Sequence, residues 1–582
     1  MDKKITGSYY TPKILSDFLS NHIVQKYIKE SKISILEPSC GNGEFISSLF
    51  NSLNLDIVEN ISIDLIDIDS IELDKAKILV PISKKVGLNT YYQDYLKFFL
   101  EDEKKYSLII GNPPYIKKSN LQKEQIDRCQ DVNQRIKAYS PLIKSKSTIK
   151  NIWPAFIEAG IMSLNDNGVL CLVIPSEILQ VKYTKELRAL ITNEFDRVEI
   201  FAFNELIFEG IQQDVIALIG VKGIESIEEH GFSFYQVDKL IDLKEPKFTE
   251  LHNNIHRTTL DKWTNYILTD GELNYIANLK NEFQPIKHYS KKAQVGIVTA
   301  ANDYFILNDK ELKESKLTKF SSIIKPILPK GSLVPNIANF TDLDFDFLKT
   351  KNIKVNFLLF PNRPKKELNQ KLINYLNKGE EKKEDGNGEL HKRYKMTMRD
   401  NWYHVPCTWL SEGLFVKRCH KYPKFFVNEA NSLATDSFYR VIMKDQFNIK
   451  NLVFSFYNSL TFVLAELEGR FYGGGVLELT PNEFKELSIP YCENITNEQF
   501  NTLDQMLRND DDIQDILSFT NSILIPHLNT TRLEEIRIKL FKRRTKKSVK
   551  EQDVDIEIFD LEQDQKTLTK NRQGNLHILE RL

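Results

Sequence analysis

Tyr106-Ser107-Leu108-Ile109-Ile110 is a short apolar run that stops at Gly111-Asn112-Pro113-Pro114-Tyr115, and this junction constrains the fold more than any other stretch of the chain. A run of that length forms a strand buried on both faces, the habit of parallel sheets covered by helices. Two consecutive prolines hold the chain extended and donate no N–H, so neither ladder nor helix continues past Gly111. Asn112, the Pro113 carbonyl and the Tyr115 ring are therefore presented at the carboxyl end of a strand, where open α/β sheets take their ligands. An amide oxygen beside a carbonyl makes a two-acceptor cradle for an NH₂ group, with a ring next to it for stacking on a flat base. Read alone, Asn-Pro-Pro-Tyr is equally a turn that punctuates a strand, because Asn and Pro gather in turns for local reasons. The flanking chain has to decide.

Upstream, Ser34-Ile35-Leu36-Glu37-Pro38-Ser39-Cys40-Gly41-Asn42-Gly43-Glu44 reads as strand, glycine turn and helix. Gly41 and Gly43 let the backbone approach a ligand, and Glu37 at the strand end suits an ammonium group. Ile61–Ile68 is a second apolar run with Asp67 inside its end and Asp69 just beyond. An acid there is the usual acceptor for ribose hydroxyls. Asp94 follows Tyr91-Tyr92-Gln93 where a third strand would end. Ahead of all these, Tyr9-Tyr10-Thr11-Pro12 starts a helix that carries Leu15, Phe18, Leu19 and Ile23. Downstream, residues 117–150 are polar and lysine-rich and read as a mobile, exposed segment with at most short helices. Residues 151–164 read as an amphipathic helix. Residues 168–175, 197–201 and 214–221 read as strands, with Phe208 in a loop between the last two.

In this order, the Tyr-Tyr-Thr-Pro opening, the Glu-Pro-Ser-Cys-Gly-Asn-Gly turn, the acidic strand ends, Asn-Pro-Pro-Tyr and the Phe208 loop resemble the S-adenosylmethionine-dependent DNA adenine-N6 methyltransferases of the gamma class, the TaqI type. The resemblance spans the first half of the chain. It implies a Rossmann-like class I methyltransferase sheet with helices on both faces. It implies that Tyr10, Thr11, Glu37, Cys40 and Gly41 lie around the methionine part of the cofactor, that Asp67 takes the ribose and that Asp94 takes the adenine amine. Asn112, Pro113 and Tyr115 would hold the target base, with Phe208 on its other face. The acid at the second strand end is often Glu in this class, so Asp67 and Asp69 compete; Asp67 is preferred. Enzymes that methylate ribosomal RNA adenine or release-factor glutamine share the tetrapeptide, but their chains are usually shorter and lack a long second half. A DNA-specificity protein without catalysis would not need the cofactor turn.

Residues 294–305 and 468–479 resemble the target-recognition regions of the same enzymes, which implies a second, mixed α/β domain that reads DNA. Between them, basic and aromatic residues interleave, and Arg393, Arg399, Trp402, Tyr403, Arg418 and Arg470, with Lys117 and Lys118 after the tetrapeptide, are the candidate DNA contacts. The formal net charge of the 582 residues is −1, so binding to double-stranded DNA requires local basic patches. The expected organisation is a catalytic domain over 1–240, a connector over 241–290, a recognition domain over 291–545 and a charged tail over 546–582. Residues 379–392 are hydrophilic enough for a disordered loop. The six cysteines show no framework spacing and read as reduced thiols. His404, Cys407, Cys419 and His420 fit no usual zinc pattern, so no metal is expected. No apolar run approaches the length of a membrane span. The expectation is a monomeric bacterial cytoplasmic enzyme, with any cognate restriction endonuclease encoded separately. Few residues precede Tyr9 and the tail after Lys547 is short for a nuclease fold.

Overall fold

The computed structural model describes residues 9–545 except 57, 145–148, 204, 209–213, 246–248, 254–261, 264–266, 383–387, 407–408 and 473–474. The chain forms two compact units that divide after Ile267.

In the first unit, β1 (Lys32–Glu37), β2 (Asn60–Asp67), β3 (Val86–Tyr92), β4 (Tyr106–Gly111), β5 (Leu164–Pro175), β6 (Arg197–Phe203), β7 (Val215–Val221), β8 (Gly231–Val237) and β9 (Thr249–Asn253) make one sheet. Their spatial order is β3-β2-β1-β4-β5-β7-β6-β8-β9. Neighbours from β3 to β5 run parallel, whereas β7 runs antiparallel to both β5 and β6. The chain winds outward from β1 in one direction and from β4 in the other. The topological switch point, where such sheets bind ligands, therefore lies between β1 and β4.

The two-residue period of the strands sorts their side chains between two cores. Leu36, Ile109, Leu170 and Leu172 face α4 (Tyr95–Glu101), α5 (Lys123–Tyr139), α6 (Trp153–Met162) and α7 (Lys185–Glu194). Ile35, Leu108, Ile110, Val169 and Cys171 face α1 (Lys13–Lys26), α2 (Glu44–Ser52) and α3 (Ser70–Ile78). Burial on both faces is why these strands are nearly continuous in apolar residues.

Three local expectations need correction. The stretch 117–150, expected to be mobile, contains the 17-residue helix α5, which turns Cys129, Val132 and Ile136 inward at helical spacing. The predicted amphipathic helix near 151–164 is α6, and nine of its ten residues are buried, so it is a core helix. The stretch 241–290 is divided between the two units: β9 pairs antiparallel with β8, and Asp270–Glu282 is a helix of the second unit.

A buried ionic hub fastens α1 to the sheet. Glu199 on β6 accepts hydrogen bonds from His22 and Lys26, both at 2.6 Å, from Tyr27 at 2.7 Å and from Arg197 at 2.9 Å. Burial alone would raise its pKa, but the bonds and charges of His22 and Lys26 overcome that and hold the carboxyl well below its usual range.

The second unit combines a five-stranded sheet, in the order Ser290–Val295, Phe438–Met443, Gly413–Val416, Phe425–Asn428 and Asn339–Phe340, with smaller sheets of four and three strands. Its final described helix, Thr530–Thr545, buries Arg544 against Glu466, at 2.9 Å between Nη2 and Oε1. Among the described residues no helix is long and apolar enough to cross a membrane, and no cluster of three or more His, Cys, Asp or Glu is arranged to hold a metal ion. Cys407 and the tail over 546–582 lie outside the described residues. Residues 383–387 of the predicted loop also lie outside them, and its ends are held by the helix Gln370–Glu380 and a helical turn at Leu390–Lys392.

Candidate active site

The strand ends bring together most of the residues singled out in the first half. Glu37 closes β1, Asp67 closes β2, Asp94 follows β3 and Asn112 follows β4, so the four stand on one edge of adjacent parallel strands, and Glu37 and Asn112 flank the switch point. The approach is close. A Cβ on Gly111 would stand 3.3 Å from the Pro38 ring and 3.8 Å from Glu37 Cγ.

The Asn112 amide is held at both ends. Its Nδ2 donates to the Tyr9 carbonyl at 2.8 Å, and its Oδ1 accepts from the Tyr115 hydroxyl at 2.6 Å. Ser39 Oγ donates to the Asn112 carbonyl at 3.1 Å. The same Tyr115 hydroxyl lies 3.0 Å from the Val173 carbonyl of β5. It has one proton and two acceptors, so it serves one of them at a time. Burial, followed by the nearby Tyr9, raises the Tyr115 pKa well above that of a free phenol, which keeps it a donor. Tyr115, whose hydroxyl holds the amide, packs with two further rings. Tyr9 lies 6.0 Å from Tyr115 at an interplanar angle of 28° and 5.8 Å from Phe208 at 35°. Phe208 lies 6.3 Å from Tyr115, tilted at 60°. Pro113 and Phe208 are buried.

On the other side of the switch point the glycine turn is drawn tightly over β2. Gly41 has φ +48° and its N–H donates to Asp67 Oδ2 at 2.8 Å. Gly43 has φ +79°, and a Cβ there would stand 2.7 Å from the Ala76 backbone, so no larger residue fits. Tyr10 covers Gly41 with its ring edge, and Thr11 and Cys40 are buried beside the turn. Burial, then the charges of Glu37 and Asp67, push the Cys40 thiol far up, so it stays a neutral wall. Asp69 is spent as the N-cap of α3, accepting from Ile71 N–H at 2.9 Å. Asp67 is held too, its Oδ1 accepting from Asp69 N–H at 2.8 Å while its Oδ2 meets Gly41, so of the two acids it is the one bonded to the glycine turn.

Glu37 is 1% exposed, and its Oε2 has no hydrogen-bond partner among the described residues. Its pKa is raised well above the carboxylate range by burial first, then by Asp67 and Glu44. A buried carboxylate oxygen without a donor is costly, and a cationic group would satisfy it. Beside Asp67, Ile68 is 58% exposed, an apolar face at the mouth of the site. Asp94 caps α4 by accepting from Lys97 N–H at 3.1 Å and pairs with Arg128 of α5 at 3.0 Å. Sequence reading passed over Tyr9, Ile68 and Arg128. The first two are chain neighbours of Tyr10 and Asp67, whereas Arg128 lies in the polar, lysine-rich stretch where the sequence shows no long helix.

The candidate DNA contacts divide differently. Lys117 and Lys118 are exposed. Tyr403 is 2% exposed with its hydroxyl on the Arg363 carbonyl, so its ring is core and cannot stack on a base. Trp402 donates to Glu380 Oε1 at 2.9 Å and packs on Tyr304. Arg418 and Arg470 are paired with Glu478 at 2.7 Å and Glu483 at 3.1 Å. Arg393 and Arg399 reach backbone carbonyls of residues 298–300. In the glycine run, residues 473–474 lie outside the described residues, and Gly475 is packed against the backbone of Arg544.

Two family models match the chain. One, described as "Eco57I restriction-modification methylase", matches residues 45–208. The other, "Type II methyltransferase M.Eco57I, C-terminal domain", matches residues 260–525. The Type II methyltransferase M.AccI of Acinetobacter calcoaceticus is 23% identical over 513 residues, covering 83% of this chain and 85% of its own length. The Type II methyltransferase M.HincII of Haemophilus influenzae is 30% identical over 227 residues, or 38% of each chain. Among solved structures, the DrdV–DNA complex superposes with a TM-score of 0.50 at 13% identity, over 86% of this chain and 57% of that one, a likeness of fold.

Proposed function

We propose that the chain, which is similar over most of its length to Type II methyltransferases of restriction–modification systems, is a DNA methyltransferase that methylates the exocyclic N6 amine of an adenine turned out of duplex DNA. The observation that carries this reading is the Asn112 amide at the switch point, held at Nδ2 by the Tyr9 carbonyl and at Oδ1 by Tyr115, whose ring packs with those of Tyr9 and Phe208. S-adenosylmethionine, when bound, supplies an electrophilic methyl group on a sulfonium. Glu37 offers its unsatisfied carboxylate oxygen to the cofactor's ammonium, Asp67 accepts from the ribose hydroxyls, and Ile68 gives an apolar face to the purine. Tyr10, Thr11, Cys40 and Gly41 line the methionine side, and Asp94, oriented by Arg128, accepts from the cofactor's adenine amine.

An adenine amine is a weak nucleophile because its lone pair is delocalised into the ring. Asn112 Oδ1 and the Pro113 carbonyl accept its two N–H bonds and favour a localised lone pair. Asn112 Oδ1 already accepts from the Tyr115 hydroxyl, and an amide oxygen keeps a second lone pair for the incoming amine. The Tyr9 carbonyl holds Nδ2 and prevents the amide from flipping. Tyr115 and Phe208 already touch, so a base enters by parting them and regains part of its unstacking cost by stacking on them. Catalysis is by positioning and electrostatics, without a strong general base. The second unit reads the DNA sequence, and the chain works as a monomer beside a separately encoded nuclease.

Expression in a methylation-free host, followed by long-read mapping of modified bases, tests the reading. N6-methyladenine at one recurrent sequence is the expected result. Modified cytosine, or no modified base, refutes it.

A further inference from the structure

The segment His391–Asp400 of the second unit contains four cations, Lys392, Arg393, Lys395 and Arg399, against one acid, Asp400, in a chain whose formal net charge is −1; of the four, Lys392 is paired with Glu389. Its short helix, Tyr394–Thr397, is anchored from below by Met396, which is fully buried in the core around Phe305 and Phe357. Its outer face is unusual. Tyr394 is 80% exposed and Met398 73% exposed, and four residues apart they lie on one side of a helical turn. Lys395 is exposed between them.

Arginines bracket this turn, and both are held in an uncommon way. Arg393 Nη1 donates to the Ala300 carbonyl at 3.2 Å. Arg399 Nη2 donates to the carbonyls of Val298 at 3.1 Å and Thr299 at 2.9 Å, and its Nη1 to that of Trp402 at 3.1 Å. A carbonyl orients a guanidinium without cancelling its charge, unlike the carboxylates that hold Arg418, Arg470 and Arg508. The receiving segment is itself strained, since Ala300 has φ +67°, a left-handed conformation that costs a residue with a Cβ and that persists where surrounding bonds enforce it. Two oriented positive charges, an exposed lysine and two exposed apolar side chains thus share one small ridge. Solvation explains exposed lysines, but not a tyrosine and a methionine held in water beside arginines that no carboxylate of the described residues meets.

We propose that this ridge is a DNA contact of the chain, with Arg393, Lys395 and Arg399 on phosphates and Tyr394 and Met398 against the bases, which makes the latter two specificity-determining residues. The proposal rests on the reading of the chain as a DNA methyltransferase. Phosphate contacts act alike on all sequences, whereas side chains at base edges or between base steps discriminate.

The test uses the full chain, with Tyr394→Ala, Met398→Ala and Lys395→Ala compared by anisotropy on matched and mismatched duplexes at several salt concentrations. Methylated sites are mapped in parallel. Tyr394→Ala and Met398→Ala should weaken binding to the matched duplex by about tenfold, leave mismatched binding nearly unchanged and relax the methylated sequence at one position. Lys395→Ala should weaken both duplexes alike and flatten the salt dependence. All three side chains are exposed, so unchanged melting temperature and S-adenosylmethionine affinity exclude a folding effect. If Tyr394→Ala and Met398→Ala bind and methylate like the wild type, the ridge is not a base contact. A wild-type chain that binds DNA without methylating it refutes the catalytic reading and leaves the ridge to be judged by the anisotropy of the same variants.

Discussion

Replacing Glu37 by glutamine should move two measurements in opposite directions. In the ligand-free protein the carboxylate is buried, its Oε2 lacks a donor among the described residues, and its nearest charges are the acids Asp67 and Glu44. Glutamine keeps the shape and removes the charge, so the free protein should gain on the order of 1 kcal/mol. For a unit of this size that raises Tm by roughly 2–4 °C. S-adenosylmethionine should bind the variant more weakly by about 1.5–3 kcal/mol, the worth of a charge-assisted hydrogen bond. That corresponds to roughly 10- to 150-fold in Kd. The pH dependence carries a definite sign. Because the folded pKa of Glu37 is raised, its protonation favours the folded state at low pH, and that contribution is lost as pH rises from the ordinary carboxylate range through the raised value. The stability gap between variant and wild type should therefore be small in acid and open with rising pH. An ammonium beside Glu37 favours the carboxylate, so cofactor binding to the wild type should release a proton in that interval, and binding to the variant should not. Calorimetry in buffers of different ionisation enthalpy measures the proton, and thermal melts measure the stability. Unchanged affinity in the variant, or a lower Tm of its free form, refutes the assignment of Glu37.

Glu199→Ala strips the counter-charge from Arg197 and Lys26 and should cost roughly 3–5 kcal/mol in urea unfolding. Because the Glu199 carboxyl is held low, its contribution is present above the ordinary carboxylate range and lost as pH falls, so wild type and variant should converge in acid. Asn112→Ala should lower methyl transfer by roughly 100-fold or more in a radiolabelled-methyl assay while leaving cofactor affinity within a few-fold. Tyr115→Phe keeps the ring and loses one hydrogen bond of about 1 kcal/mol, so kcat should fall about fivefold; Tyr115→Ala, which also loses stacking, should fall much further.

The strands around the switch point were legible because each is an apolar run that ends in a residue of a different kind. Glu37, Asp67 and Gly111 mark the ends of β1, β2 and β4 in the sequence as they do in the fold. Helix α5 was not legible, because its lysines, acids and glutamines swamp a narrow apolar stripe, although Cys129, Val132 and Ile136 are spaced to face one side. Strand β9 was missed for the opposite reason: Thr249–Asn253 has no apolar run, and its place comes from pairing with β8. The Glu199 hub joins residues more than 170 positions apart, and no local pattern announces it. The hydrogen bonding of the site was equally invisible. The tetrapeptide names Asn112 and Tyr115 as groups that meet a base, but only the structure brings the Tyr115 hydroxyl onto Asn112 Oδ1.

The DNA face tests the same distinction. A sequence counts charges, whereas binding depends on which charges remain after folding has used the others. Arg418, Arg470 and Arg544 look alike in the sequence and are each met by a carboxylate, from Glu478, Glu483 and Glu466. The Arg544–Glu466 pair is buried, and moving that arginine onto a phosphate would strand its glutamate; Glu478 also holds Lys417 at 3.1 Å, so it neutralises Arg418 within a small surface network. Among the described residues Arg393 and Arg399 rest on carbonyls alone, which fix their direction without neutralising them. The aromatic residues divide by the same rule: Tyr403 is consumed by the core, while Tyr394, nine positions earlier, stands in solvent. Interleaved basic and aromatic residues therefore mark a region, and the partner each side chain has taken decides which of them can meet DNA.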